Sequence, residues 1–468
     1  MAAAAGVLTS PPADKQRHTS ELLSQLRDDL TPPRLNATAR FQALEQLKVY
    51  SRDPVGNDEM YAASGIGVLG AHGFVVNAED RQSAREAQRA LANTLLMAPK
   101  TRQFVVDCGF HEKAAEAFTS TDCDDEFLLA RILLLITYDT SADLKKLLKV
   151  HGLETAVKEA LARHAEDVRP SNPMATMALS ETLKLYFNLT HYVADEEGLT
   201  IGCAPSLFKM LRQLEPASFP LQPPLSNILN AMVGARLSAC KYAAFPPEDP
   251  LLHVKKLVDI LDKAIDPKFT KLGANTSESW DEAGTPLVTL LRAIADIADE
   301  DVKDYLKSRL LPSEEERKQP LGKGTTLAAR LLQLSSSASA PNTREHISWL
   351  LFTLSDQNAE QFILNIGYGY ASGFLLTHNI PLPASSDMPS ASASSRPINP
   401  ITGQTLDYEP TLTDPFAGMS QEEKEREAER LFVLFERLKK TGVINVENPV
   451  RQAVEQGRFQ ELPDDADE

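Results

Sequence analysis

Apolar residues recur along this chain at three- and four-residue intervals, over stretches long enough to fold as helices with one buried stripe. Leu22, Leu23 and Leu26 mark a first such face, and Phe41, Leu44 and Leu47 a second. Between them Thr31-Pro32-Pro33 predicts a break, because proline removes a backbone donor and clashes with the preceding turn. Leu287, Leu290, Leu291 and Ile294 repeat the template, as do Ile347, Leu350, Leu351 and Leu354. Thr285-Pro286 predicts the start of the first of these two, with threonine as cap and proline at the first helical position. Polar loops are expected over 266–284 and 311–326. The pattern ends near Thr377, and Pro381–Pro397, rich in Ser and Pro, reads as a flexible linker that buries too little surface to offset its chain entropy. A last helix signal follows: Ser420 stands three residues before Glu423 as in a capping box, Leu431, Leu434, Phe435 and Leu438 make an apolar stripe, and Gly442 supplies the stop. So amphipathic a helix must dock, either on the preceding helices or on a partner.

Polar positions inside the helical segments carry further information. ALANTLL (Ala90–Leu96), LKLYFNLT (Leu183–Thr190) and LSNILNAMVG (Leu225–Gly234) place Asn93, Asn188, Asn227 and Asn230 opposite their leucines. In the second, Leu179, Leu183, Tyr186 and Phe187 form the expected buried stripe, and Glu181, Lys184, Asn188 and His191 a polar one. Asparagine has poor helix propensity, so one such residue reads as locally satisfied, but recurrence points to the lining of a groove whose amides clamp a guest chain. Asn93 lies 38 residues before Arg131, and Asn188 lies 42 before Asn230, while the 57 residues from Arg131 to Asn188 require an insertion. Units of roughly 40–47 residues are those of armadillo and HEAT repeats. The expected fold is therefore all-α: an armadillo/HEAT-like superhelix over 1–380, a Ser/Pro-rich linker over 381–418, the C-terminal amphipathic helix over 419–442 and a polar acidic tail over 443–468.

Composition narrows the function. The chain has 468 residues, 43% of them hydrophobic but only 6% aromatic, which suits a Leu- and Ala-rich helical array. A formal net charge of −17 opposes nucleic acid, whose binding rests on neutralising phosphates. Lys48, Arg52 and Arg131 stand out as basic residues beside apolar helix positions; each alone reads as a surface ion pair, together as a cationic patch in the groove. Cys108, Cys123, Cys203 and Cys240 form no CxxC pair and read as free, mostly buried thiols. MAAAAGVLTSPP lacks the features of a secretory signal, no apolar run approaches a membrane span, and a cytoplasmic protein is expected.

No catalytic, cofactor or metal constellation emerges. LGKGTT (Leu321–Thr326) lacks the glycine spacing and preceding strand of a phosphate loop and reads as a plain loop. His111-Glu112 has no second histidine at zinc-ligand spacing. Gly367-Tyr368-Gly369-Tyr370 reads as a tight turn between helices, with Tyr368 packing on the last repeat.

ALEQLKVYSRD (Ala43–Asp53), ETLKLYFNLT (Glu181–Thr190), FILNIGYGYASGFL (Phe362–Leu375), INPITGQ (Ile398–Gln404) and GMSQEEKEREAERLFVLFERL (Gly418–Leu438) together resemble the synembryn family, in order and over nearly the whole chain. FNLTHYVADEEG adds a likeness to fungal members. The resemblance implies a cytosolic, non-receptor guanine-nucleotide exchange factor and folding chaperone of heterotrimeric G-protein α subunits, acting by binding without covalent chemistry and as a monomer. It implies that the concave face holds the α subunit's C-terminal helix through Lys48, Arg52, Asn93 and Arg131. Repeat geometry extends the set to Lys184, Asn188, His191, Asn227 and Asn230. Lysine at 48, where the family often has arginine, keeps the charge but loses bidentate geometry. The resemblance also implies that Ile398–Leu438 helps hold the partner, and that the partner recruits the protein to the plasma membrane. Ser420 is a candidate phosphosite for an acidic-directed kinase, although a helix cap explains it better. The competing reading is an importin-like armadillo adaptor that grips extended peptides with an asparagine ladder.

Overall fold

The structure, a computed structural model, describes residues 12–76, 80–193, 197–214, 221–266, 280–381, 398–399 and 401–408, together with Ser420 and Arg426. The expected linker over 382–397, the C-terminal helix apart from Ser420 and Arg426, and the acidic tail lie outside the described residues.

Among the described residues there are twenty α-helices and no strand. They begin with α1 (Pro12–Asp28), α2 (Ala37–Tyr50), α3 (Ala63–Phe74), α4 (Arg81–Met97), α5 (Lys100–Asp107), α6 (Phe110–Ala117) and α7 (Cys123–Ile136). The middle of the chain forms α8 (Leu144–Lys149), α9 (Leu153–His164), α10 (Pro173–Tyr192), α11 (Glu197–Gln213), α12 (Leu225–Gly234), α13 (Lys241–Ala244) and α14 (Leu252–Ala264). The array ends with α15 (Trp280–Ile297), α16 (Glu300–Leu310), α17 (Leu327–Leu334), α18 (Pro341–Leu354), α19 (Ala359–Ile366) and α20 (Tyr368–Thr377).

Seven of these helices make one continuous ladder. α2 packs on α4, α4 on α7, α7 on α10, α10 on α12, α12 on α15, and α15 on α18. The intervening helices form a second layer behind it, α3 on α4, α6 on α7, α9 on α10 and α11 on α12. The result is an all-α helical-repeat superhelix. The apolar rows read from the sequence face the seams between rungs: Leu44, Leu47, Leu91, Leu95, Leu179, Leu183, Leu287, Leu291, Leu350 and Leu351 are all fully buried. Each such side chain contributes about 2 kcal/mol by leaving water.

Local signals set the helix ends. The Asn36 side chain accepts from the Ala39 N–H at 2.8 Å to start α2, beyond the break at Pro32-Pro33. Asn172 caps α10, with Pro173 in its first turn. The expected start at Thr285 is corrected: α15 begins at Trp280, Pro286 lies inside it, and the Thr285 hydroxyl donates back to the Asp281 carbonyl at 2.6 Å. The reason is Asp281, whose buried carboxylate accepts from the backbone N–H groups of Asn342 (3.1 Å) and Thr343 (2.6 Å) and so joins the first turns of α15 and α18.

Asparagine provides a second recurring tie. Asn93 on α4 donates to the hydroxyl of Ser51, the residue that ends α2, at 3.0 Å. Asn188 on α10 donates to the hydroxyl of Thr137, the residue that ends α7, at 2.7 Å. Asn365 on α19 donates to Ser355, which ends α18, at 2.9 Å. In all three, the hydroxyl itself donates to a carbonyl in the last turn of its own helix. In each tie the hydroxyl satisfies a carbonyl at its own helix end, and the amide of the other helix donates to the hydroxyl oxygen.

A buried carboxylate joins three helices. Glu126 on α7 accepts from His164 Nε2 (2.8 Å), the Arg163 guanidinium (2.6 Å) and the Thr182 hydroxyl (2.8 Å). Burial pushes its pKa up, but the His164, Thr182 and Arg163 interactions outweigh that and hold it below the usual value. The same balance, burial opposed by hydrogen bonds, holds Asp281 and Asp29 low, Asp29 through Arg40 and the N–H groups of Leu35 and Arg34.

Two predictions follow from these ties. A carboxylate with a depressed folded pKa contributes stability that is complete above its unfolded pKa of about 4 and is lost as pH falls through the folded value. Thermal melts should therefore be level from about pH 7 to 5 and fall steeply below about 4, and Asp281→Asn should lower stability by about 1–3 kcal/mol near neutrality while flattening the acid limb. Asn188→Ala should cost about 1–3 kcal/mol in chemical denaturation, because it removes a buried amide from Thr137; a cost like that of an exposed site would contradict the tie.

Candidate functional site

Every residue expected to bind the partner lies on a ladder helix or at its end: Lys48 and Arg52 at α2, Asn93 on α4, Arg131 on α7, Lys184, Asn188 and His191 on α10, and Asn227 and Asn230 on α12. Solvent reaches one stripe of each rung. On α4 it is Arg85, Arg89, Asn93 and Leu96; on α7, Asp124, Phe127 and Arg131; on α10, Lys184, Phe187 and His191. These stripes are joined sideways by charge. Lys48 Nζ lies 2.7 Å from Glu86 on the next rung, and Glu86 also pairs with Arg89, which reaches Asp124 on the third rung at 2.9 Å. Arg131 approaches Glu181 on the fourth rung at 3.6 Å, and Glu181 holds Lys184 at 3.0 Å. The guanidinium of Arg131 stands 5.0 Å over the Phe127 ring, and His191 stacks on Phe187 at 6.2 Å.

The two bridging carboxylates, Glu86 and Glu181, are buried while their cations reach solvent. This polarity gives the face its chemistry. It presents the cationic side of each pair outward, backed by a buried negative charge that fixes the position of the cation. A visiting carboxylate or a row of peptide carbonyls meets pre-positioned donors. Arg52 is exposed and has no carboxylate partner among the described residues.

The asparagines divide. Asn188 is 5% exposed and its amide nitrogen is bound to Thr137, so the expectation that it lines a solvated groove is corrected: it is an interhelix tie. Asn93 is half-buried with its nitrogen on Ser51, and its amide oxygen has no hydrogen-bond partner among the described residues. Asn230 is exposed, donating to its own helix at the Ser226 carbonyl (3.0 Å), and Asn227 is half-buried beside it. Glu181, assigned to the polar stripe of α10, is buried as the anchor for Arg131 and Lys184, and Phe187, assigned to the buried stripe, is half-exposed. Ser420 is exposed.

Several residues of this face escaped the sequence reading. Arg81, Arg85 and Arg89 repeat every four residues along α4 and engage Asp122, Asp124 and Asp125; that spacing was the available signal. Farther along, the Arg292 guanidinium of α15 lies 4.7 Å over the Trp349 ring of α18, and the Trp349 indole N–H donates to Glu345 at 2.9 Å. Nothing in the local sequence couples these two rungs.

Elsewhere, a cleft of about 460 Å³ opens beside α4, lined by Phe74, Arg81, Arg85, Gln88, Lys113 and Asp125. Its cations are already paired, Arg81 and Arg85 with Asp125 and Lys113 with Glu116 at 3.0 Å. Among the described residues no group of His, Cys, Asp and Glu could hold a metal ion, and no helix is long and apolar enough to cross a membrane. Two of the four unpaired cysteines, Cys203 and Cys240, are buried; Cys108 is exposed and Cys123 half-buried, which corrects the expectation that most are buried.

Comparison with known proteins places the chain in a family. The model of the guanine nucleotide exchange factor synembryn matches residues 43–458. The chaperone Ric-8A of Xenopus laevis is 22% identical over 475 residues, covering 92% of this chain and 87% of its own length. The zebrafish (Danio rerio) chaperone Ric-8A is 24% identical over 486 residues, covering 92% and 85%. A synembryn-like chaperone of Schizosaccharomyces pombe is 29% identical over 217 residues, which is 44% of this chain and 39% of that protein. A match spanning the ladder from α2 onward and running past its last helix makes the assignment: the chain belongs to the synembryn family of guanine nucleotide exchange factors.

Proposed function

We propose that this protein is an exchange factor and folding chaperone for heterotrimeric G-protein α subunits, which binds the α subunit's C-terminal helix on the ladder face and favours the nucleotide-free state. The observation that carries this reading is the row of outward cations on buried carboxylates, Lys48 on Glu86 and Arg131 and Lys184 on Glu181, along one face of a family of exchange factors. The face is long, as a helix partner requires, and mixes cations with half-exposed Phe127 and Phe187, as an amphipathic one requires.

The mechanism needs no covalent step, cofactor or metal. An α subunit whose terminal helix packs in its own core supports its nucleotide pocket. A ladder that takes that helix only when displaced shifts the population towards an open state with weak hold on nucleotide. Linkage requires the reverse effect: nucleotide weakens ladder binding by the same factor. Chaperoning uses the same contact, since a nascent subunit exposes that helix and the ladder covers it. The protein acts as a cytoplasmic monomer, drawn to the plasma membrane by its partner, without inserting into the bilayer or binding nucleic acid.

Within this reading Lys48, Arg52, Arg131, Lys184, His191, Asn227 and Asn230 make the contact, with the amide oxygen of Asn93 as a further acceptor. Asn188 supports the rung beneath them. The adaptor alternative loses force, because a peptide-gripping asparagine ladder needs free amides and those of Asn93 and Asn188 are engaged.

Arg52→Glu combined with His191→Glu changes two exposed side chains that pair with no buried carboxylate among the described residues, so the melting temperature should stay near that of the wild type. Capture of a nucleotide-free α subunit should fall at least tenfold, about 1.4 kcal/mol. A non-hydrolysable GTP analogue should abolish capture by the unaltered chain. A stable double variant that accelerates nucleotide release like the wild type would sink the assignment.

A further inference from the structure

Three stretches far apart in sequence meet beyond the last ladder rung. They are the loop around 317–322, the junction of α19 and α20 at 365–370, and the segment containing INPITGQ, described over 398–399 and 401–408. The segment folds on itself, with the Asn399 N–H donating to the Gln404 carbonyl at 2.7 Å and the Gly403 N–H to the Asn399 carbonyl at 2.9 Å. It is then bound from both sides. The N–H of Leu321 donates to Thr402 O (3.1 Å), that of Gly369 to Ile401 O (3.2 Å), and that of Thr405 to Arg317 O (2.8 Å). Gln404 Nε2 donates to Lys318 O at 3.0 Å. The half-buried Arg317 guanidinium donates to Gly403 O (3.1 Å) and Asn365 O (2.8 Å), bridging the segment to the end of α19.

Two glycines make this closeness possible. Gly403 has φ +68° and Gly367 has φ +82°, a region that favours glycine. A methyl group on Gly403 would collide with the Leu321 side chain, and one on Gly367 would stand 3.1 Å from the Ile401 carbonyl oxygen. Gly403, Gln404 and Thr405 are buried. A passing connection has no need of five hydrogen bonds to two separate parts of the array.

We propose that residues 398–408 are a fixed anchor, locked by Gly367, Gly403 and Arg317, whose role is to deliver the chain after Tyr408 to the α18–α20 end of the ladder. This rests on the exchange-factor reading and divides the part of the chain that the family resemblance implies in holding the partner. The portion 398–408 holds the protein to itself; the portion beyond it is left to reach the α subunit. The reach is set by covalent geometry. From Tyr408 the ten residues 409–418 span at most about 36 Å before Met419. Without the anchor the tether would be the 37 residues 382–418, spanning at most about 130 Å. A longer covalent path lowers the local concentration of what it carries, so releasing the anchor dilutes the C-terminal segment at the ladder face.

The test compares Gly403→Val and Arg317→Ala with Lys323→Ala, an exposed neighbour, all in the full chain. Hydrogen exchange over 317–323 and 366–371 should lose at least tenfold protection in the first two and none in the third. Affinity for a nucleotide-free α subunit should fall severalfold in the anchor variants, whereas affinity for a synthetic peptide of the α subunit's C-terminal helix should stay at the wild-type value. Unchanged protection would refute the lock. Lost protection with unchanged subunit affinity would refute the positioning role, as would an equal loss for the peptide, which would place the damage in the ladder itself. A wild-type chain that binds neither subunit nor peptide would overturn the exchange-factor reading and the positioning role with it, a result distinct from the variant-specific ones.

Discussion

The leucine seam between neighbouring rungs is the contact on which the other features rest. No helix here is stable alone, since short helices are marginal in water and gain their stability from packing an apolar face. Each rung buries one face on the rung before, one on the rung after and one on the second layer. That leaves a single stripe of each helix for solvent. A partner that binds the ladder must be read by those stripes, and their spacing is fixed by the seam rather than by the side chains that do the reading.

Polar ties add register to a seam that is otherwise tolerant of sliding. Leucine on leucine has little directional preference, whereas an amide on a helix-ending hydroxyl has one geometry. The pairs Asn93–Ser51 and Asn188–Thr137 set the end of one rung against the body of the next. The buried carboxylates Glu86 and Glu181 act similarly, each reached from two helices, Glu86 by Lys48 and Arg89 and Glu181 by Arg131 and Lys184. Removing one partner from such a group leaves a desolvated charge, a larger loss than the pair's net contribution. The cations on these carboxylates therefore serve rigidity as well as the exposed face, which is why the exposed Arg52 and His191 are better probes of recognition than Glu86, Glu181 or their partners.

The sequence made the rungs legible because their signal is periodic: a leucine at Leu179 and another at Leu183 define a face without reference to anything distant. It also made the break at Thr31-Pro32-Pro33 legible, since proline acts locally. Asn188 was misread because recurrence of a polar residue says that a position matters, not which neighbour it addresses; a hydroxyl 51 residues upstream had no mark in the sequence. The start of α15 was misplaced for the same reason, because Asp281 is held by α18, some 60 residues later. Tyr368 was expected to pack on the array, yet Tyr370 does so, donating to Leu321 O at 3.3 Å while Tyr368 stays exposed. LGKGTT, GYGYASG and INPITGQ were three unrelated oddities until the fold brought them together. Gly367 and Gly369 leave room for the Ile401 carbonyl, and Gly322 and Gly403 for the side chains of Tyr370 and Leu321, and that purpose appears only with those neighbours in place.

A face built from cations on buried carboxylates has a consequence for selectivity. Its cations are already compensated, so an isolated acidic side chain gains little by approaching, because it competes with a carboxylate that has lost its water already. A helix terminus differs. It carries several unsatisfied carbonyls and a partial negative charge spread over a turn, and an α subunit's terminal helix ends in a carboxylate besides. Such a ligand can engage several ladder cations at once without displacing any from Glu86 or Glu181. It can do so only when its end is detached and unwrapped from its own domain. On the proposed function, this charge arrangement favours a released terminal helix over a folded acidic surface, the discrimination that such an exchange factor needs: weak attraction for the nucleotide-bound partner and strong attraction for the state in which the helix has left.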